Sequence, residues 1–387
     1  MKIAIITSGI LPIPAVQGGA VENLIDYYLE YNERHNLHDI TIYSVWHPDV
    51  SQHQALEAKS NHYEYINIHN KWFRLCAKIN WILHRDSYYF YLLEYFFEKT
   101  IKKVTQKKFD LIILENRPIV AAKLSQKSKT PIVSHIHTNS VNPDTRKKED
   151  ILRTTNKFLV VSNFIKKQIE SIGINTNVEV VYNGLDAQRF NKKNITPIPR
   201  DQFGFKNGDF VAIYSGRIVP QKGVKELLQA FQLLKDYPDI KLLVVGGDNF
   251  GDSVKANAFL DNIHEMAENM DGKVKFTGFV PYKQLPAYLC MANVAVVPSR
   301  INDALPTACI EATAVGLPII ATNDGGIPET LVGQKHILLD KDDNLPVQIA
   351  KAVLEIKNNY EKFLGNSLNN IFKKEVYAES FFKAIEL

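Results

Sequence analysis

Short apolar runs of strand length alternate with longer stretches of helical period along nearly the whole chain, and the alternation comes in two successive series. In the first series the apolar runs are residues 3–6, 40–45, 111–114, 132–136, 158–161 and 178–181, with helical period over 21–31. In the second they are 210–214, 241–245, 274–277, 294–297, 319–321 and 337–339, with helical period over 224–234. Continuous apolar strands bounded by helices are buried on both faces, as in parallel sheets. The pattern therefore predicts an α/β protein of two doubly wound, Rossmann-like domains, with ligands near the carboxyl ends of the strands. Residues 191–209, which hold Pro197, Pro199 and two glycines but no apolar period, read as a linker between a domain over 1–190 and a domain over 191–367.

Other features narrow the class. A chain of 387 residues exceeds the usual reach of one hydrophobic core, which agrees with two domains. Cys76, Cys290 and Cys309 are far apart, against a disulfide framework or a thiolate zinc site. The run 3–6 ends at Thr7 and Ser8, too short for a leader's apolar core, and no stretch approaches the roughly 18 to 20 apolar residues of a spanning helix. The expectation is a cytoplasmic protein. A net charge of +4 does not point to nucleic acid, but residues 71–129 carry 13 basic against 5 acidic side chains.

Four loops carry candidate chemistry. Gly18-Gly19 precede a helix, where glycines let backbone N–H groups approach an anion. No G-x-G-x-x-G fingerprint is present, which disfavours a nicotinamide enzyme. Gly216-Arg217 and Lys222-Gly223 lie between a strand and a helix, and a guanidinium fork with a mobile ammonium suits the oxygens of a diphosphate. Asp303 and Glu311 stand eight residues apart, the first in a loop and the second about a turn inside a helix with Pro306 in its first turn. That loop offers the N–H groups of Leu305 and Thr307 to a phosphate, and Glu311 can accept hydrogen bonds from a vicinal diol. Asp340-Lys341-Asp342-Asp343 has the look of a metal motif but precedes a helix, so capping explains it better and no metal site is expected.

Arg217 with Lys222-Gly223, and Asp303 with Glu311 ahead of Ala314-x-Gly316-x-Pro318, resemble the nucleotide-binding signatures of family 4 retaining glycosyltransferases, which have the GT-B fold. Gly18-Gly19, Asn183-Gly184-Leu185-Asp186 with Phe190, Phe276-x-Gly278, Pro298-Ser299 and Gly325-Gly326-Ile327-Pro328-Glu329 extend the resemblance over almost the whole chain. It implies two Rossmann-like domains facing a central cleft, with a C-terminal helix at about 368–387 packing back on the first, and no cofactor or catalytic metal. It also implies that Glu311 holds the nucleoside ribose, that Asp303 contacts the donor sugar, and that Arg217 and Lys222 serve the departing diphosphate. Gly18, Gly19, Asn183, Gly216, Gly278, Leu305 and Thr307 complete the implied donor site. Where the family has Glu, Asp303 is one methylene shorter. The family's sugar-side histidine is by position His137, with His135 its rival on the same face of the strand.

The activity so implied is transfer of a hexosyl unit from a nucleotide sugar, UDP-linked, to a hydroxyl of a glycan or lipid-linked acceptor in surface polysaccharide or glycoconjugate synthesis. A nucleotide-sugar epimerase of the same fold and an inactive partner of another glycosyltransferase are the alternatives. Residues 71–85 place Lys71, Arg74, Lys78 and Arg85 near one helical face and Trp72, Leu75, Ile79 and Ile82 on another, with Trp81 beside them. A basic amphipathic helix with tryptophan suits an anionic membrane surface, here the inner face of the cell membrane. Residues 88–97 read instead as a core helix.

Overall fold

The computed structural model describes residues 1–83, 88–247 and 258–386. They form two compact units, Met1–Gly184 with Lys374–Leu387, and Leu185–Lys373. The first is built on a seven-stranded sheet in the order β3-β2-β1-β4-β5-β6-β7. Its strands are β1 (Lys2–Ile6), β2 (Asp39–Val45), β3 (Asn61–Ile66), β4 (Leu111–Glu115), β5 (Ile132–Ile136), β6 (Lys157–Val160) and β7 (Val178–Val180). The second has six, in the order β10-β9-β8-β11-β12-β13: β8 (Phe210–Ser215), β9 (Ile240–Val245), β10 (Val274–Phe276), β11 (Val294–Val297), β12 (Ile319–Thr322) and β13 (His336–Leu339). Every pairing in both sheets is parallel.

Strand order reverses between β1 and β4 in one sheet and between β8 and β11 in the other, and loops at such switch points leave a crevice for ligands. In the first unit, alternation along β1 sends Ile3 and Ile5 into one core and Ala4 and Ile6 into another on the opposite face. The helix Tyr91–Thr105 fills the second core with Phe96 and Phe97. The helices Ala20–His35 and Lys374–Ala384 close the first, Tyr28 stacking on Phe381 with ring centroids 4.0 Å apart.

Two local readings of the sequence need correction. Residues 191–209 do not link the units but belong to the second one, where Arg200 holds them. Its guanidinium donates to the Met291 carbonyl at 2.9 and 2.7 Å and to the Asp209 carbonyl at 2.7 Å, and the Ile198 N–H donates to the Ala287 carbonyl at 3.1 Å. Anchoring by one side chain leaves no periodic signature. The edge strand β3 was not foreseen because Asn61, His62 and Glu64 interrupt its apolar residues. Among the described residues no helix is long and apolar enough to cross a membrane.

Candidate active site

In the second unit the predicted residues gather at the switch point. Gly216 has φ +153°, and a Cβ there would lie 3.1 Å from the Tyr214 hydroxyl, which donates to the Arg217 carbonyl at 2.6 Å. This clamp sets the turn and leaves the Arg217 side chain exposed. Gly223 has φ +72°, and a Cβ there would lie 1.8 Å from the Pro298 carbonyl oxygen, so only glycine lets the Lys222 turn press on the chain leaving β11. The Arg300 N–H donates to the Gln221 carbonyl at 2.8 Å, joining the two loops again.

As a result Lys222 meets Asp303. The ammonium donates to both carboxylate oxygens at 2.9 and 2.6 Å, and the Ser299 hydroxyl donates to Oδ2 at 2.5 Å. From beneath, the Gly326 N–H donates to the Asp303 carbonyl at 2.7 Å. The side chains of Lys222 and Asp303 remain 24% and 14% exposed, so the pair borders solvent. Gly278, after β10, accepts from the Gly246 N–H at 3.0 Å and completes a run of bare backbone with Gly246 and Gly216 at the carboxyl ends of β8 to β10.

Glu311 is buried in the helix Thr307–Ala314. It accepts from the Tyr282 hydroxyl at 3.1 Å and bonds to Thr307, and burial raises its pKa to about 7 against the pull of those bonds. Pro306 is the N-cap of this helix rather than a member of its first turn, and Thr307 is the first helical residue. Leu305 is buried beside it. Tyr282, which leans on Phe190 at a centroid distance of 5.8 Å, was not foreseen because no motif spacing connects it to Glu311. In the aspartate run, Asp342 accepts from the Asn344 N–H at 2.9 Å and from Gln348 at 2.8 Å, the hydrogen bonds of a helix start.

In the first unit His137 follows β5, and its backbone N–H donates to Asn116 Oδ1 at 3.2 Å. Both histidines reach one carboxylate. His135 Nδ1 lies 3.2 Å from Glu115 Oε1, and His137 Nε2 lies 2.9 Å from Glu115 Oε2. The Tyr28 hydroxyl donates to Oε1 at 2.9 Å. Burial opposes ionisation of Glu115, but the two histidines outweigh it and hold the carboxyl well below its usual range. Burial and the neighbouring His135 push His137 down to about 4. Glu115, His135 and His137 are also the set among the described residues whose donor atoms lie close enough to hold a cation, all within 4.8 Å. Gly19, with φ +102°, precedes the first helix, and a Cβ there would lie 2.2 Å from a Glu22 carboxylate oxygen. Its bareness thus makes room for Glu22, whereas Gly18 faces open space. Asn183 is buried, next to Gly184, where a Cβ would lie 2.7 Å from Tyr377 Cβ.

Residues 196–373 match the family described as glycosyl transferases group 1, and residues 21–189 match Glycosyltransferase Family 4. The chain is a family 4-like glycosyltransferase. Among curated proteins it is 24% identical over 375 residues to spore coat protein SA of Bacillus subtilis, covering 94% of this chain and 91% of that one. It is also 27% identical over 229 residues to the lipopolysaccharide 1,2-N-acetylglucosaminetransferase of Salmonella typhimurium, covering 59% and 58%. The crystal structure of Anabaena Alr3699/HepE in complex with UDP-glucose superimposes with a TM-score of 0.72 at 20% identity, over 99% of this chain and 98% of that one. Two parallel-sheet domains with this likeness give the glycosyltransferase the GT-B fold.

The remaining predicted residues of the glycosyltransferase lie on the helix Lys71–Leu83. It buries Ala77 and sets Phe73 against Tyr95, with ring centroids 4.8 Å apart. Trp72 is 75% exposed, Ile82 67%, and Leu75, Ile79 and Trp81 about half, while Lys71, Arg74 and Lys78 are exposed beside them. Arg85 lies outside the described residues.

Proposed function

We propose that this glycosyltransferase is a retaining enzyme that moves a hexosyl unit from a UDP-linked sugar to a hydroxyl of a glycan or lipid-linked oligosaccharide, without a catalytic metal, in surface polysaccharide or glycoconjugate synthesis. The observation that carries the reading is the meeting of Lys222 with Asp303 at the carboxyl ends of β8 and β11, beside the exposed Arg217. In this reading Arg217 and Lys222 take the diphosphate and Glu311 accepts from the ribose diol. Fixed cations then stabilise the charge that grows on the leaving phosphate, which is where transition-state stabilisation is worth most. The acceptor oxygen bonds to the anomeric carbon on the face the diphosphate leaves. The departing phosphate oxygen keeps the bonding electron pair and takes the acceptor's proton, so no enzymic nucleophile is needed. His137, in the first unit, serves the sugar. The UDP-glucose bound by the Anabaena protein supports the choice of base.

The exposed apolar and basic residues of Lys71–Leu83 support peripheral attachment to an anionic membrane that presents the acceptor. The test is incubation with a panel of UDP, GDP and dTDP sugars, following released nucleotide and product anomer. Release from a UDP-hexose with retention is expected. Interconversion of sugars without release would mean an epimerase, and binding without turnover would mean an inactive partner.

A further inference from the structure

Glu115 ends a strand that is otherwise apolar, and its side chain is fully buried. A carboxylate in such a place must be hydrogen-bonded to stay charged, and three donors surround it: the Tyr28 hydroxyl, His135 Nδ1 and His137 Nε2. An ionised carboxylate only accepts, so the ring nitrogens that face it both carry protons. The far side of the cluster is closed by the C-terminal helix, with Phe381 and Tyr377 lying 5.4 and 6.4 Å from the His135 ring. His137 is held at both ends, by Glu115 through Nε2 and by Asn116 through its backbone N–H. Its Nδ1 is buried with no hydrogen-bond partner among the described residues.

We propose that Glu115 is a positioning residue that locks His137 as the neutral Nε2–H tautomer, so that Nδ1 is presented as a fixed hydrogen-bond acceptor for a sugar hydroxyl. The role rests on the reading of His137 as the sugar-side histidine. It has a chemical consequence: a ring that keeps its Nε2 proton on Glu115 and has no partner among the described residues for a second proton at Nδ1 accepts a hydroxyl hydrogen there but does not shuttle protons. His137 then selects and orients the sugar while the leaving phosphate does the proton chemistry.

The test has two independent readouts on the whole protein. Nitrogen-15 NMR of the histidine rings should show His137 of the wild type as a single neutral Nε2–H tautomer between pH 6 and 8. Glu115→Gln, whose amide can donate to Nε2, should shift the ring toward the Nδ1–H form. Its kcat should fall about 10-fold or more, by analogy with the loss of a carboxylate that orients a metal-bound histidine, with the KM for donor changed much less. Glu115→Asp should restore part of the tautomer preference and of kcat. If neither variant folds, the wild-type spectrum decides alone. An Nδ1–H or charged His137 in the wild type, a zinc ion bound stoichiometrically at the cluster, or a Glu115→Gln enzyme with shifted tautomer and full kcat would overturn the proposal. A fully active His137→Ala would instead remove the reading of His137 on which it rests, and the proposal with it.

Discussion

Two carboxylates, Glu115 in the first unit and Asp303 in the second, each face nitrogen donors and a hydroxyl, yet their surroundings differ. Glu115 is sealed, and all its donors come from packed elements of one core. Asp303 borders solvent, and its chief partner is a lysine on a long flexible stem. A solvent-bordering ion pair contributes only about 1 kcal/mol, so Lys222 can leave Asp303 for a diphosphate at little cost. A charge buried as Glu115 is cannot change partners so cheaply. The contrast separates a fixed, buried charge from an exchangeable charge that borders solvent.

The sharpest way to break this contrast is to remove the exchangeable charges. Lys222→Ala and Arg217→Ala should each lower turnover about 10²- to 10³-fold, the range seen when a transition-state donor is lost, and leave the His137 tautomer unchanged. Turnover measured with saturating donor checks this, and wild-type rates in both would sink the leaving-group role. Asp303→Ala should likewise abolish most turnover while the nucleoside diphosphate still binds, and Asp303→Glu should alter the choice of sugar.

Glu311 sharpens it next. Glu311→Ala should cost about 1.5 to 3 kcal/mol of donor affinity, the value of hydrogen bonds to a charged group. Because burial raises Glu311 to about 7, nucleotide affinity in the wild type should rise from pH 6 to pH 8 as the carboxylate forms, and Glu311→Gln should flatten that rise. Stability should move the opposite way. Glu22, Asp26 and Glu311 all have pKa values raised by burial to about 7, so each contributes stability that is complete below its unfolded pKa and is lost as pH rises through 7. Melting temperature should therefore be lower at pH 8 than at pH 6.5, and less so in Glu311→Gln.

The smallest effect lies away from both carboxylates. Basic residues near an anionic surface contribute about 1 kcal/mol each, so changing Lys71, Arg74 and Lys78 to Ser should weaken sedimentation with anionic vesicles at low salt. Donor hydrolysis should not change. A wild-type protein that stays in the supernatant would make this helix an acceptor-binding or structural element.

Much of this contrast could be read in the sequence on one side only. Arg217, Lys222, Asp303 and Glu311 stand in loops whose spacing is itself the signal, and the apolar runs that place those loops are unambiguous. Glu115 and Tyr28 carry no spacing relation to His137. They meet it because β4 pairs with β5 in a register that sets Glu115 opposite His135, and because the first helix lies over that sheet. An acidic residue ending an otherwise apolar strand was the available hint. Tyr282 was hidden for the same reason, as a tertiary partner of Glu311 from a separate segment. The first domain's anion loop was only half legible, since Gly19 accommodates Glu22 as well as offering bare backbone.

The most direct test of the division of labour between the nucleotide-side residues and His137 is calorimetric titration of UDP into the wild type, Glu311→Ala, Lys222→Ala and His137→Ala, with turnover measured on the same samples. The account predicts that UDP binds about 10- to 100-fold more weakly to Glu311→Ala and less tightly to Lys222→Ala. His137→Ala should bind UDP as the wild type does yet turn over poorly. Equal loss of UDP affinity in His137→Ala, or undiminished affinity in Glu311→Ala, would contradict it.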